Sequence, residues 1–170
     1  MSSQIISSWE IDIERQEDIK AVYQVNLQAF NRPDEAEVVD RLRQNSPVFK
    51  SYVARVGGQV VGHVLFTPAY IVQADDWMIS GLGLAPLAVT PEYQERGIGT
   101  ALCREALKRI DPDAVPFVIV LGHPDYYPRF GFKRAGLYGI RSSYADVPEE
   151  CFMLRILNQK KMDGVSGVAY

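Results

Sequence analysis

The chain has 170 residues, 47% of them hydrophobic and 23% charged, with a net charge of −3. That length suits one domain (1–170) with a full core, and the composition is that of an ordinary soluble globular protein. The negative balance and the lack of any Lys/Arg stripe argue against nucleic acid as a partner, and Lys160-Lys161 is too short a run to mean more than solvated surface.

In chain order the elements alternate between strand and helix. Trp9 to Ile13 alternates as a strand, and Glu17-Asp18 opens a helix through Val22, Val25, Leu27 and Phe30. Asn31-Arg32-Pro33-Asp34 breaks it, and a second short helix reaches about Gln44. Tyr52–Val56, Gly57-Gly58 and Val60–Phe66 predict a hairpin with a type I′-compatible turn. Ala69–Gln73 and Trp77–Val89, separated by Asp75-Asp76, predict another strand pair. From Gly97 to Ile110 a helix carries Ile98, Leu102, Ala106 and Ile110 at i, i+4 spacing, and Asp111-Pro112 ends it. Phe117–Leu121 is continuously apolar, as in a strand buried on both faces. After Gly122-His123-Pro124-Asp125 come a short helical piece around Tyr126–Phe130 and two or three further strands. The order is that of a mixed α/β chain, without repeat, low-complexity segment or domain boundary.

The chemistry concentrates in residues 87–102, where an apolar run meets a turn, an Arg/Gly segment and an amphipathic helix. A helix N-terminus offers unpaired amides and the positive end of the macrodipole, so this order suggests a diphosphate cradle and a nucleotide-type cofactor. Gly97 and Gly99 permit close approach of backbone to phosphate. A P-loop is excluded because Gly99 is followed by Thr100-Ala101 without a Lys. A dinucleotide fingerprint is disfavoured because Leu102 stands where a third small residue belongs, and the preceding chain is mainly strand and hairpin. What remains is Gln94-x-x-Gly97-x-Gly99 between strand and helix.

This segment resembles the acetyl-CoA pyrophosphate loop of the GCN5-related N-acetyltransferases (GNAT). Tyr127-Pro128-Arg129-Phe130-Gly131-Phe132 is similar to the Tyr-x-x-x-Gly-Phe segment those enzymes carry after their fifth strand. Leu84-Ala85-Pro86-Leu87-Ala88-Val89 and Leu121-Gly122-His123-Pro124-Asp125-Tyr126-Tyr127 are similar to the YhbS-like branch. The resemblance implies an α/β acyltransferase fold, a mostly antiparallel central sheet splayed between its fourth and fifth strands and flanked by helices. It implies acetyl-CoA as co-substrate and no metal, in a direct ternary-complex transfer to a primary amine. The acceptor is expected to be a small molecule. Acylation of a protein N-terminus or lysine, or a catalytically silent acyl-CoA-binding module, are the alternatives.

Leu87, Ala88 and Val89 have side chains suited to the core, and by the same resemblance main-chain groups of Leu87 and Val89 would pair with the pantetheine amides. The loop Gln94, Glu95, Arg96, Gly97, Ile98, Gly99 and Thr100 would hold the diphosphate, with backbone amides from Gln94, Arg96, Ile98 and Thr100. Arg96 adds charge against it or is simply solvated surface. Tyr127 would give a proton or hydrogen bond to the leaving thiolate, or else pack on the cofactor arm; Tyr126 suits a pocket wall. The general base is open. Many relatives carry a Glu on the strand before Leu-Ala-Val, but Ser80–Pro86 holds no carboxylate. His63 and His123 are the only imidazoles, each with a structural alternative, and bulk water is a third acceptor for the proton. Asp34 and Glu35 fit a cationic acceptor, though capping and the helix dipole already explain them.

Neither histidine has a partner at metal-ligand spacing. Cys103 and Cys151 form no CxxC, and Cys103 falls on the apolar side of its helix, as a small buried hydrophobe or a reactive thiol. Without a signal-like N-terminus or a membrane-length apolar stretch, a cytoplasmic chain without membrane association is expected. Terminal strands such as Phe152–Leu157 could pair in a homodimer.

Overall fold

The computed structural model describes residues 8–46 and 49–170. They fall into two compact units, one comprising the chain up to Leu65 with Pro86–Leu107, the other Phe66–Ala85 with Lys108–Tyr170. No described helix is long and apolar enough to cross a membrane.

In the first unit, β1 (Glu10–Ile13) lies antiparallel to β2 (Lys50–Val56), with Glu10 opposite Arg55 and Ile13 opposite Tyr52. Two helices follow β1: α1 (Ile19–Phe30) and α2 (Asp34–Asn45). Asn31 ends α1 in the left-handed conformation (φ 53°), which its short polar side chain tolerates. The acidic first turn of α2 matches its dipole, and Glu35 is ion-paired with Arg32. Positive φ at both Gly57 (56°) and Gly58 (82°) makes the β2–β3 connection the expected type I′ turn. Val22 and Val25 of α1 and Val39 of α2 pack with Val53, Val60, Leu65 and Ala88. Asp18, buried before α1, is pushed up by burial. The bond from Arg55 at 2.6 Å and that from the Arg15 amide outweigh this and hold its carboxyl below the ordinary range. The helix α3 (Ile98–Lys108) buries Ile98, Leu102, Cys103, Ala106 and Leu107. It stops two residues short of the expected Ile110, though Ile110 is itself buried.

One strand prediction needs correction. Val60–Phe66 and Ala69–Gln73 are a single strand, β3 (Gln59–Val72), whose second half lies in the other unit. Pro68 lies within this strand: its fixed φ is compatible with extended chain, and only its missing N–H weakens a ladder.

The second unit holds the end of β3, the first part of β4 (Met78–Val89), and β5 (Phe117–Leu121). It also holds β6 (Lys133–Arg134), β7 (Ile140–Ser142), β8 (Phe152–Ile156), the short helix α4 (Gln159–Met162) and β9 (Gly167–Ala169). The chain after the Tyr127 turn thus carries four described strands, where two or three were expected. Hydrogen bonding runs β3-β4-β5-β8-β6, with β9 beside both β3 and β7. The β3–β9, β5–β8 and β6–β8 pairs are antiparallel, whereas β7 runs parallel to β9 and β4 parallel to β5, the latter two joined through the long connection that contains α3. Their ladder is only two residues long, Leu82 opposite Val118 and Gly83 opposite Ile119. That early end is the expected splay. Gly81 lets the strands approach, since a Cβ there would lie 2.6 Å from the Phe117 ring. Ile71, Phe117, Ile140, Phe152 and Leu154 form the core of this unit. The expectation that β5 is buried on both faces fails at its end, where Leu121 is 52% exposed because β4 has already parted from it.

Candidate functional site

In the first unit, β4 ends on Leu87-Ala88-Val89, of which only Ala88 is buried. The chain then makes a 3-10 turn at Pro91–Tyr93, passes Glu95 at φ 60° and Gly97 at φ 85°, and enters α3. The amide of Ala101 donates to the Gly97 carbonyl at 2.9 Å, so Gly97 is the N-cap and the amides of Ile98, Gly99 and Thr100 have no intrahelical acceptor. Buried Ile98 anchors this first turn. A Cβ built at Gly97 would meet only Trp9, at 4.0 Å, so the approach to those amides is open. The exposed Arg96 guanidinium sits 5.8 Å from the centre of the Tyr93 ring. Donors, dipole and adjacent cation together fit an oxyanion.

Gln94 departs from the expected part. Its amide already donates to the Pro91 carbonyl at 3.3 Å, closing the 3-10 turn, so it is not a spare phosphate donor. Its side-chain Nε2 instead donates to the Val89 carbonyl at 2.8 Å, tying the loop to the strand.

In the second unit, the parting of β4 and β5 opens a cavity of about 200 Å³, walled by Gly83, Leu84 and Ala85 on one strand and Ile119, Val120 and Leu121 on the other. Just beyond β5, the Gly122 amide donates to the Cys151 carbonyl at 2.9 Å, and the His123 carbonyl accepts from the amides of Tyr126 and Tyr127 at 3.1 and 3.5 Å. This turn launches the 3-10 segment Tyr127–Phe130, which Gly131 ends at φ 85°. The Tyr127 ring lies so close over Gly122 that a Cβ there would come within 2.3 Å. Edge contacts with Tyr126 (5.2 Å between centroids) and Phe132 (5.7 Å) fix its plane. His123 is exposed on the same turn.

His63 is ruled out as a base. It is fully buried in the first unit, with Nδ1 3.0 Å from Asn26 Nδ2 and Nε2 2.9 Å from Ser51 Oγ. Because Asn26 Nδ2 is a donor, which also bonds the Val22 carbonyl at 2.9 Å, Nδ1 accepts and the ring proton sits on Nε2. Ser51 in turn donates to Glu14, which is paired with Arg43. Burial first, and the Arg43 charge second, push the imidazole pKa down to about 3. Cys103 is likewise buried, as a small apolar side chain would be.

The sequence reading passed over a larger cleft in the second unit, of about 650 Å³, lined by residues including Arg141, Tyr144, Asp146 and Glu149. Its only trace in the sequence is a polar, aromatic stretch between short strands.

Residues 10–135 match the family model described as an acetyltransferase (GNAT) domain. The chain is 37% identical over 151 residues to the uncharacterized N-acetyltransferase YjhQ of Escherichia coli, covering 85% of this chain and 82% of that protein. With the uncharacterized N-acetyltransferase YhbS of the same organism it shares 33% identity over 141 residues, 82% of each chain. The crystal structure of E. coli YhbS in complex with CoA superposes with a TM-score of 0.85 at 30% identity, covering 95% of this chain and 88% of that one. A GNAT acetyltransferase from Brucella melitensis in complex with acetyl-CoA gives a TM-score of 0.71 at 31% identity, covering 88% of both. On this fold, these motifs and these relatives, the chain belongs to the GNAT family of acetyltransferases.

Proposed function

We propose that this enzyme, acting as one domain in the cytoplasm, moves an acetyl group from acetyl-CoA to the primary amine of a small molecule by direct transfer in a ternary complex. The donor is supported by the CoA and acetyl-CoA complexes of its structural relatives. The observation that carries the acceptor reading is the cavity of about 200 Å³ where β4 and β5 part, which has room for a slender chain ending in an amine.

The amides of Ile98, Gly99 and Thr100 bind the diphosphate, Gly97 and Glu95 shape the loop through their positive φ, and Arg96 adds charge. Main-chain groups of Leu87, Ala88 and Val89 pair with the pantetheine arm as an added strand would. Gln94 acts as a positioning residue through its bond to Val89. In the transfer, the neutral amine nitrogen forms a bond to the thioester carbonyl carbon. The carbon–sulfur bond breaks, and sulfur leaves with the electron pair. Tyr127 gives the thiolate its proton and is reprotonated from water. The amine nitrogen loses a proton to His123 or directly to water. The buried position of Cys103 disfavours an acyl-enzyme on that thiol.

Replacing Tyr127 by Phe tests the role of the phenol. The turnover number is expected to fall by about 10²-fold, the lower end for a lost general acid, with the KM for acetyl-CoA unchanged. Unchanged turnover across the pH range would remove Tyr127 from the chemistry.

A further inference from the structure

The two cavities of the second unit share a wall, since Ser142, Tyr144 and Phe152 line both. The smaller is bounded mainly by apolar groups; the larger, of about 650 Å³, carries Arg141, Asp146 and Glu149. None of these three side chains forms an ion pair among the described residues, whereas Arg15, Arg32, Arg43 and Arg55 are all paired with carboxylates. All three are exposed side chains on the wall of the cleft. Gly136 leaves the room that the Glu149 carboxylate occupies, for a Cβ there would lie 2.5 Å from Oε1. The loop after β7 is pinned by the Ser143 amide to the Ala169 carbonyl at 2.9 Å and by the Tyr144 amide to Ser142 Oγ at 3.1 Å. Tyr144, 74% exposed while facing both cavities, offers an aromatic surface that a bound molecule would cover.

We propose that the larger cleft holds the remote end of the acceptor, and that the acceptor is a free diamino acid of the lysine or ornithine type. Its α-carboxylate pairs with Arg141 and its α-ammonium with Asp146 and Glu149. Its methylene stem passes Tyr144 and Phe152, and its side-chain amine enters the smaller cavity. A simple diamine leaves Arg141 facing only cations, and a dicarboxylate sets like charge against Asp146 and Glu149. A zwitterionic head satisfies all three. This assignment rests on the reading of the chain as a small-molecule N-acetyltransferase. The side-chain nitrogen gains the acetyl carbon, sulfur takes the electrons of the broken carbon–sulfur bond, and one proton passes from the amine to solvent while the thiolate gains one.

Calorimetric titration of the CoA-loaded chain with L-lysine, cadaverine (no carboxylate) and 6-aminohexanoate (no α-ammonium) tests it. Lysine is expected to bind at least about tenfold more tightly than either analogue, the scale of one charge-assisted pair. Arg141→Gln should bring lysine to the level of cadaverine without weakening cadaverine. Asp146→Asn with Glu149→Gln should bring lysine to the level of 6-aminohexanoate. Unchanged CoA affinity in these variants reports an intact fold. Equal binding of the three compounds, absent lysine binding, or equal weakening of lysine and cadaverine by Arg141→Gln would overturn the proposal. Acetyl transfer to lysine and cadaverine alike overturns the subsite but leaves the transferase reading standing. Selective lysine binding without transfer does the reverse.

Discussion

A proton added to His63 would meet no acceptor, because Asn26 already donates to one ring nitrogen and the other donates to Ser51. In the unfolded chain the same imidazole titrates near its ordinary value of about 6.5; in the folded one it does so at about 3. Between those values the unfolded state binds more protons, so stability falls as pH drops through this window and is unaffected by His63 above it. The slope from this one residue approaches about 1.4 kcal/mol per pH unit, and carboxylates such as Asp18 add to it in the same direction. His63→Gln should flatten urea-unfolding stability between pH 6 and about 4 by up to one proton's worth. An unchanged slope would contradict the network. The sequence showed a histidine in a strand, as base or as structure. It did not show that Asn26 and Ser51 occupy its two nitrogens, because those partners lie 37 and 12 residues away.

At the level of elements, the strand–loop–helix around Gly97 was the most legible part of the chain. Glycine spacing, an apolar run before it and i, i+4 periodicity after it are all local signals, and the loop forms as they require. Gly97 at φ 85° has ample space but a left-handed backbone that an alanine adopts only under strain. Gly97→Ala is therefore expected to lower stability by about 1–2 kcal/mol through backbone strain and to weaken acetyl-CoA binding several-fold by turning the first amides of α3. Thermal unfolding with and without acetyl-CoA measures both; wild-type affinity would detach the loop from the cofactor. Pro68 shows the opposite case. A residue that usually punctuates was absorbed within β3, and only the pairing of the strand on both sides of it could reveal this.

For the whole molecule, element order and the early end of the β4–β5 ladder were readable through the family pattern. The cleft around Arg141 was not readable. Its charges come from β7, a loop and a 3-10 turn, and nothing in their spacing marks a common cavity. The strand before Leu87 carries no carboxylate, as its sequence showed, so removal of the amine proton rests on groups elsewhere or on water. The most direct test measures initial rates of CoA thiol release while acetyl-CoA and L-lysine are varied together, with a panel of other amines and peptides beside it. Thiol release that requires the amine, forms one acetylated amine per CoA and gives intersecting double-reciprocal lines is the predicted result. Tight acetyl-CoA binding with thiol release no faster in the presence of any acceptor would contradict it.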